Sequence, residues 1–461
     1  MILLDQAIDT LSAAVFFAVP VAGVDIQVIV LWLAVAMVFT TVWLGIPQWR
    51  GFAEAWHIVR GRYHDPSAPG QVSQFAALTT ALSGTVGLGN IAGVAVAVTL
   101  GGPGAIFWML IIGFFAMALK CAEVTLGLMY REILPDGRVR GGPFITLRNG
   151  LATIGYPRLG KLLGNIYAFL LLGGALSLFQ VNQSFAQVSA VSGSDNRLGF
   201  GIFFAVAVAL VLLGSIRWIA RTTSILVPAM AAIYIGGCFI ILLSNPGAIP
   251  GAVATIIFEA FNPESVAGGI LGTFVAGMRR AVFSSEAGIG TAVIAHAQAK
   301  TREPASEGLV ALLEPFIDTV IICTITGLTI VVAGTWDPAT NGGIEGIAIT
   351  SAAFATIAPW FPIVLAVAVF LFAYSTVIAN GFYGAEGFQH LFGYGRWQNL
   401  GWKVAYCLIL PLGAVLELGK IVDFVDSVFF LMAIPNILGI YLLAGPLRAE
   451  MTRYLNRTKG T

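Results

Sequence analysis

Charge is what this sequence lacks. Of its 461 residues only 10% are Asp, Glu, Lys or Arg, against roughly 25% in ordinary globular domains. So little charge excludes a soluble enzyme and a disordered chain. The 24 basic and 23 acidic residues leave a net charge of +1, so no basic face exists for nucleic-acid phosphates. Cysteine is scarce as well. Cys121, Cys238, Cys323 and Cys407 each sit in an apolar run without CxxC or Cys/His spacing, which argues against a disulfide framework or a structural metal. There is no HExxH motif, no Asp/His metal cluster and no soluble stretch long enough to bind a nucleotide, which disfavours a membrane enzyme and ATP-driven transport. What is abundant points one way. Hydrophobic residues make up 58% of the chain and glycine contributes 54 residues, with a mean hydropathy of +0.89. Small residues let membrane helices pack closely, so the composition is that of a polytopic membrane protein.

A helix needs about 20 mostly apolar residues to cross the hydrocarbon. Eleven runs qualify: 24–46, 75–100, 105–129, 166–190, 198–213, 225–243, 266–294, 309–333, 363–388, 404–418 and 425–443. Residues 11–23 are too short to cross and follow no basic stretch, as a cleaved signal peptide would; they read as an interfacial helix. Lys and Arg set the orientation. With the N-terminus outside, 19 of the 24 basic residues fall on the cytoplasmic side and only Arg197 and Lys420 in outer loops. The C-terminus is then cytoplasmic.

Two of these runs are interrupted near their middles. One contains Ser83-Gly84-Thr85-Val86-Gly87-Leu88-Gly89-Asn90, the other Phe283-Ser284-Ser285-Glu286-Ala287-Gly288-Ile289-Gly290. Irregular backbone survives at membrane depth only around a cavity. A pair of glycine-interrupted segments in corresponding positions marks a transporter's binding site. The two lie five spans apart, an odd number, so the second repeat runs inverted to the first. The expected organisation is an N-terminal segment with one extra helix and a cytoplasmic linker (1–71), a first five-helix repeat (72–265), an inverted second repeat (266–446) and a cytoplasmic tail (447–461). Glycine runs in single membrane helices often serve close packing alone; two matched breaks with polar residues favour the site. An ion channel would need a continuous pore and a symmetric filter, which two broken helices do not suggest.

At these residues the sequence resembles the alanine or glycine:cation symporter family. The matching stretches are TVGLGNIAGVAVAVTLGGPGAIFWM (85–109), VFSSEAGIGTAVIAHAQAKTREP (282–304) and FIDTVIICTITGL (316–328), with GGPF (141–144) and QVNQ (180–183). The resemblance implies an all-α integral membrane protein with a LeuT-type five-plus-five inverted repeat. It implies import of a small neutral amino acid across the inner or plasma membrane, driven by sodium, with no other cofactor and no nucleotide. A proton in place of sodium, or a glutamine- or serine-type substrate, are the alternatives. Substrate contacts are then expected from Val86, Gly87, Gly89, Asn90, Gln180, Phe283, Ser284, Ser285 and Asn380. One sodium is expected at the carbonyls of Ser83 and Val86 and the hydroxyls of Ser375 and Thr376. A second is expected beside Thr85 and Asn90. Hydroxyls in a membrane helix also back-bond to their own helix, and a buried Gln can simply join helices.

The sequence departs from the family at two positions. Asn380 stands where the family has Trp, and Ser285 where it has Asn. A smaller, polar residue at 380 opens room and adds a donor and an acceptor, which suits a longer or more polar substrate. If Asn380 instead faces a neighbouring helix, the pocket is unchanged. Among ionisable residues, Glu286 is expected to pair with Arg280 or cap the second half-helix. Glu123 and Asp318 are expected to pair with cations, and His296 to be solvated or interfacial at the cytoplasmic end of its span.

Overall fold

The computed structural model describes all residues except 1, 22–23, 64, 136, 263–268, 338–344 and 460–461. The expected repeat boundary at 265/266 lies outside the described residues, as do residues 338–344 of the outer loop expected between the runs 309–333 and 363–388. The described chain is almost wholly helical, with two short antiparallel pairs, Ala18–Val21 with Val24–Gln27 and Glu132–Ile133 with Val139–Arg140.

Six described helical stretches are long and apolar enough to cross a membrane: Gly104–Met129, Pro157–Ser192, Ile216–Ser244, Pro304–Val332, Pro362–Phe392 and Leu418–Leu442. The pair Gln74–Thr85 and Leu88–Gly101, bent by 58° at its break, makes a seventh. The four remaining expected spans fall on shorter or broken helices: Val28–Trp43, Arg197–Leu212, Gly269–Ser285 with Ala292–His296, and Arg396–Val415. The 16 residues of Val28–Trp43 rise only about 24 Å, because the first four residues of that expected span form a strand instead. The interfacial helix is also displaced. It runs Ile2–Val15, while Ala18–Val21, with two valines and a proline, is extended. Phe16 packs on Phe430 at 5.2 Å between ring centroids, fixing this helix against Leu418–Leu442. Helices outside the eleven runs include Phe52–Val59, Pro143–Thr153, Ile249–Phe261 and Ile347–Ala355, and the tail is itself a helix, Ala444–Lys459. The tail is anchored where Arg453 and Arg457 donate to Glu303 at 2.6 and 2.8 Å.

Glycine sets the closest helix contacts. Gly160 and Gly164 lie four apart on Pro157–Gly174 and face the helix Pro143–Thr153. A Cβ on Gly160 would stand 2.5 Å from the Leu147 carbonyl oxygen, and one on Gly164 2.6 Å from that of Phe144. Backbone cannot yield as a side-chain tip can, so Gly164→Leu is expected to destabilise by about 1–3 kcal/mol. The check is the thermal unfolding midpoint in detergent, which should fall for Gly164→Leu but not for Gly236→Ala, where a Cβ meets open space.

Candidate functional site

The first broken helix starts with a cap, the Ser73 hydroxyl accepting from the Ala76 N–H at 3.1 Å. It stops because two N–H groups are diverted. Gly87 N–H donates to Asn90 Oδ1 at 2.9 Å and Leu88 N–H to Gln180 Oε1 at 3.2 Å. In a continuous helix these would bond to the carbonyls of Ser83 and Gly84. Both Gly87 and Gly89 permit close approach. A Cβ on Gly87 would lie 2.6 Å from Thr376 Oγ1, and one on Gly89 3.2 Å from the Phe283 ring.

The second break turns through the left-handed region at Glu286 (φ 50°), Gly288 (φ 90°) and Gly290 (φ 91°). Its carbonyls find side-chain donors. Lys120 Nζ donates to Glu286 O at 3.2 Å, Asn436 Nδ2 to Gly288 O at 2.9 Å and the Tyr167 hydroxyl to Ile289 O at 2.8 Å. Ser285 is local here: its hydroxyl donates to Ala281 O at 2.8 Å and accepts from Ala287 N–H at 3.3 Å.

A third element joins the breaks. Residues Phe316–Cys323 form a π-helical stretch, a geometry often found at functional sites. It brings Asp318 to both breaks. Asn90 Nδ2 donates to Ser284 Oγ and to Asp318 O, each at 3.0 Å, and to the Asp318 carboxylate. The hydroxyls of Ser284 and Thr319 donate to Asp318 Oδ2 at 2.9 and 2.8 Å. The Asn90 amide has two hydrogens for at least three oxygen acceptors. An oxygen-rich cluster with fewer donors than acceptors suits a hard cation.

A small cavity of about 20 Å³, room for about one water molecule, lies between the breaks. Gly89, Gln180, Phe283 and Asn380 line it, together with Thr85, which was expected beside a cation. Val86, Gly87, Asn90, Ser284 and Ser285 are not among its lining residues. The sequence reading missed Glu286, Ser177, Phe179 and Phe429 as cavity residues. The aromatic ones surround Phe283, whose ring meets Phe179 at 5.4 Å and Phe429 at 5.7 Å. Asn380 both lines the cavity and donates to Ser177 Oγ at 3.1 Å.

On the far side of the first break, Ser83 Oγ donates to Ser375 O at 2.7 Å. Ser375 turns its own hydroxyl back to Phe372 O at 3.1 Å. Thr376 Oγ1 is buried with no hydrogen-bond partner and points at Gly87. Several ionisable residues differ from expectation. Arg280 and Arg279 both pair with Asp426, so Glu286 is left to accept from Thr291. Glu123 is held by Asn436 at 2.6 Å and Asp318 by Asn90 and two hydroxyls rather than by cations. His296 is fully buried, with Nδ1 and Nε2 each 2.6 Å from a carboxylate, those of Glu307 and Glu314. A usable signal existed: Glu307 and Glu314 lie seven apart, on one face of a helix, at the start of an apolar run.

Comparison with known proteins decides the class. Residues 12–461 match the sodium:alanine symporter family. The chain belongs to that family. The sodium/alanine symporter AgcS of Methanococcus maripaludis is 38% identical over 90% of this chain and 91% of its own. A probable sodium/glutamine symporter, GlnT of Bacillus subtilis, is 31% identical over 84% and 80%. A putative sodium/proton-dependent alanine carrier, YrbD of the same organism, is 32% identical over 85% and 83%. Among solved structures, MhsT in complex with L-phenylalanine covers 83% of this chain and 98% of its own, at 16% identity and a TM-score of 0.57; this is a likeness of fold. The protein is thus a membrane transporter with a LeuT-like fold and not an enzyme.

The satisfied second break generates a direct expectation. Tyr167→Phe strips the donor from a buried carbonyl, which costs about 1–3 kcal/mol. The unfolding midpoint in detergent should drop, and hydrogen exchange at residues 286–292 should quicken. No change in either would mean that the Ile289 carbonyl is satisfied another way.

Proposed function

We propose that this protein is a secondary symporter. It imports a small neutral amino acid through alternating access to the cavity between the breaks, coupled to sodium. The observation that carries the reading is Thr376. A buried hydroxyl without a partner costs stability, and this one faces the Ser83–Gly87 turn, whose carbonyl at Ser83 lacks its helical donor. One sodium there takes oxygens from Ser83, Val86 and Thr376. Ser375 joins if its hydroxyl leaves Phe372. The Asn90, Ser284 and Asp318 cluster, beside Thr85, supports a second cation. The amino-acid carboxylate is placed at the positive end of the half-helix that begins near Gly89, with Gln180 and Phe283 shaping the pocket. The chain spans the inner or plasma membrane eleven times, with an extracellular N-terminus and a cytoplasmic C-terminus. The support is the excess of basic residues in the loops assigned to the inside.

Uptake into proteoliposomes tests the coupling. Thr376→Val keeps the shape and removes the oxygen. Sodium affinity should fall roughly 5- to 150-fold, the equivalent of about 1–3 kcal/mol, while the ranking of amino acids holds. Wild-type uptake that is equally fast with and without an inward sodium gradient rejects sodium coupling.

Asn380 supports a pocket more polar than that of a strict alanine carrier. A site that hydrogen-bonds a substrate group discriminates by ~10⁴-fold, a methylene-sensing one by roughly 10–200-fold. Asn380→Trp should shift preference toward glycine and alanine and depress uptake of glutamine, asparagine or serine. Competition of labelled uptake by each neutral amino acid reads this out. One shared ranking with alanine and glycine on top would show that Asn380 does not set selectivity.

A further inference from the structure

Behind the second break lies a buried polar assembly that substrate and sodium binding do not use. His296 sits at the end of the half-helix Ala292–His296, between Glu307 and Glu314, with 2.6 Å from each ring nitrogen to a carboxylate oxygen. All three side chains are fully buried. A neutral imidazole has one N–H, so two such contacts require a second proton, on the ring or on a carboxyl group. With an imidazolium and two carboxylates the triad carries −1. Lys120 Nζ, 4.0 Å from Glu314 Oε2, brings the sum to zero. Glu314 Oε2 has no hydrogen-bond partner of its own, so the balance rests on that one proton. Among the described residues no group of three His, Cys, Asp or Glu is arranged to hold a metal ion.

Nearby charged and titratable groups have partners of their own, Asp318 near Lys120 being held by Asn90, Ser284 and Thr319. On the helix of Lys120, Glu123 is bound by Asn436. Arg131, near Glu307, donates elsewhere: to the carbonyls of Ala297, Ala299 and Thr301, and to that of Pro69. Tyr383, which faces Glu314 from Pro362–Phe392, donates to Thr80 O at 3.4 Å. Glu286 turns its carboxylate to Thr291 and gives Lys120 only its backbone carbonyl. The link toward the cavity therefore ends at an ammonium on a carbonyl, which is no relay for protons.

Toward the cytoplasm the assembly does continue. Gln74, the first residue of the broken helix, donates to Glu307 Oε2 at 2.9 Å and to Ser306 Oγ at 3.2 Å. Alongside, Val72 bridges to Ala299, and the Arg131 clasp spans both segments. These contacts tie the two cytoplasmic half-helices together. Separating them is what opening to the cytoplasm requires, and it brings water to the triad.

We propose that the Glu307–His296–Glu314 triad is a proton-binding site that latches the cytoplasmic side. The inference rests on the alternating-access reading. The proton goes to cytoplasmic water when the half-helices part and returns from that side when they close. Losing it leaves the closed assembly with a net −1 and an unshared ring nitrogen in an apolar interior, so deprotonation favours the open form. Rising cytoplasmic pH therefore promotes opening, and no proton crosses the membrane.

The test is hydrogen exchange on the full-length protein in detergent, between roughly pH 5.5 and 9, corrected for the intrinsic pH dependence of exchange. Segments 72–78 and 292–301 should open more with rising pH, by up to about tenfold per unit past the midpoint. His296→Gln and Glu307→Gln should each flatten that dependence. Wild-type exchange that is flat over the range, or a dependence unchanged in both variants, overturns the proposal. A variant that merely unfolds is recognised by fast exchange throughout Gly104–Met129, and the wild-type profile and the second variant then decide. The assay uses neither sodium nor substrate, so its failure and the failure of sodium coupling are read separately.

Discussion

A peptide group without a partner is the constraint around which this molecule is organised. In hydrocarbon each unmet N–H or C=O costs several kcal/mol, yet two helices break in the middle of the protein. Each break strands carbonyls that a regular helix would have satisfied internally. Everything packed around them answers that deficit. The glycines allow the turns, and the left-handed residues at 286, 288 and 290 aim the carbonyls outward. Side chains on three further helices then arrive as donors.

The two breaks meet the deficit differently. Lys120, Asn436 and Tyr167 fill the second from within the protein. At the first, Gln180 and Asn90 take up N–H groups as acceptors, which relieves the donors and leaves the turn rich in oxygen. Thr376 adds another oxygen without a partner. One break is thereby a fixed structural corner, while the other can be completed by an added cation. A cation completing the first break would be a component of the fold when present, much as structural ions are elsewhere.

The apolar runs and the two polar interruptions were legible in the sequence, because hydropathy and glycine are local signals. The contacts of Gly89, Gln180, Phe283 and Asn380 with one cavity followed from the family resemblance. What stayed hidden depends on distant partners. His296 read as interfacial because its partners, Glu307 and Glu314, come from the next helix. Asp318 looked like one half of an ion pair because nothing local shows a π-helical turn aiming it at Asn90. Glu286 and Arg280 are close in sequence but six residues apart, about 120° around a helix, and Asp426, 146 residues away from Arg280, takes the arginine. The displaced N-terminal helix has a local cause: Ala18–Val21 prefers the extended backbone, and hydropathy is blind to that.

The two candidate cation positions differ in what they would couple. Asn90, Ser284 and Asp318 all belong to elements already bound to one another, the two breaks and the π-helical stretch. A cation among them would stiffen a unit whose members move together, and would order the first half-helix for substrate. Thr376 belongs to the long helix Pro362–Phe392, which one turn on carries Asn380, a cavity-lining residue. A cation between Ser83 and Thr376 would span two helices that the Ser83–Ser375 and Tyr383–Thr80 hydrogen bonds also join, and its affinity would depend on their separation. Only a ligand with different affinities for two arrangements can bias one over the other. By that criterion a cation at the proposed Thr376 position would be placed to drive the conformational step, and one at the proposed Asp318 position to prepare the pocket.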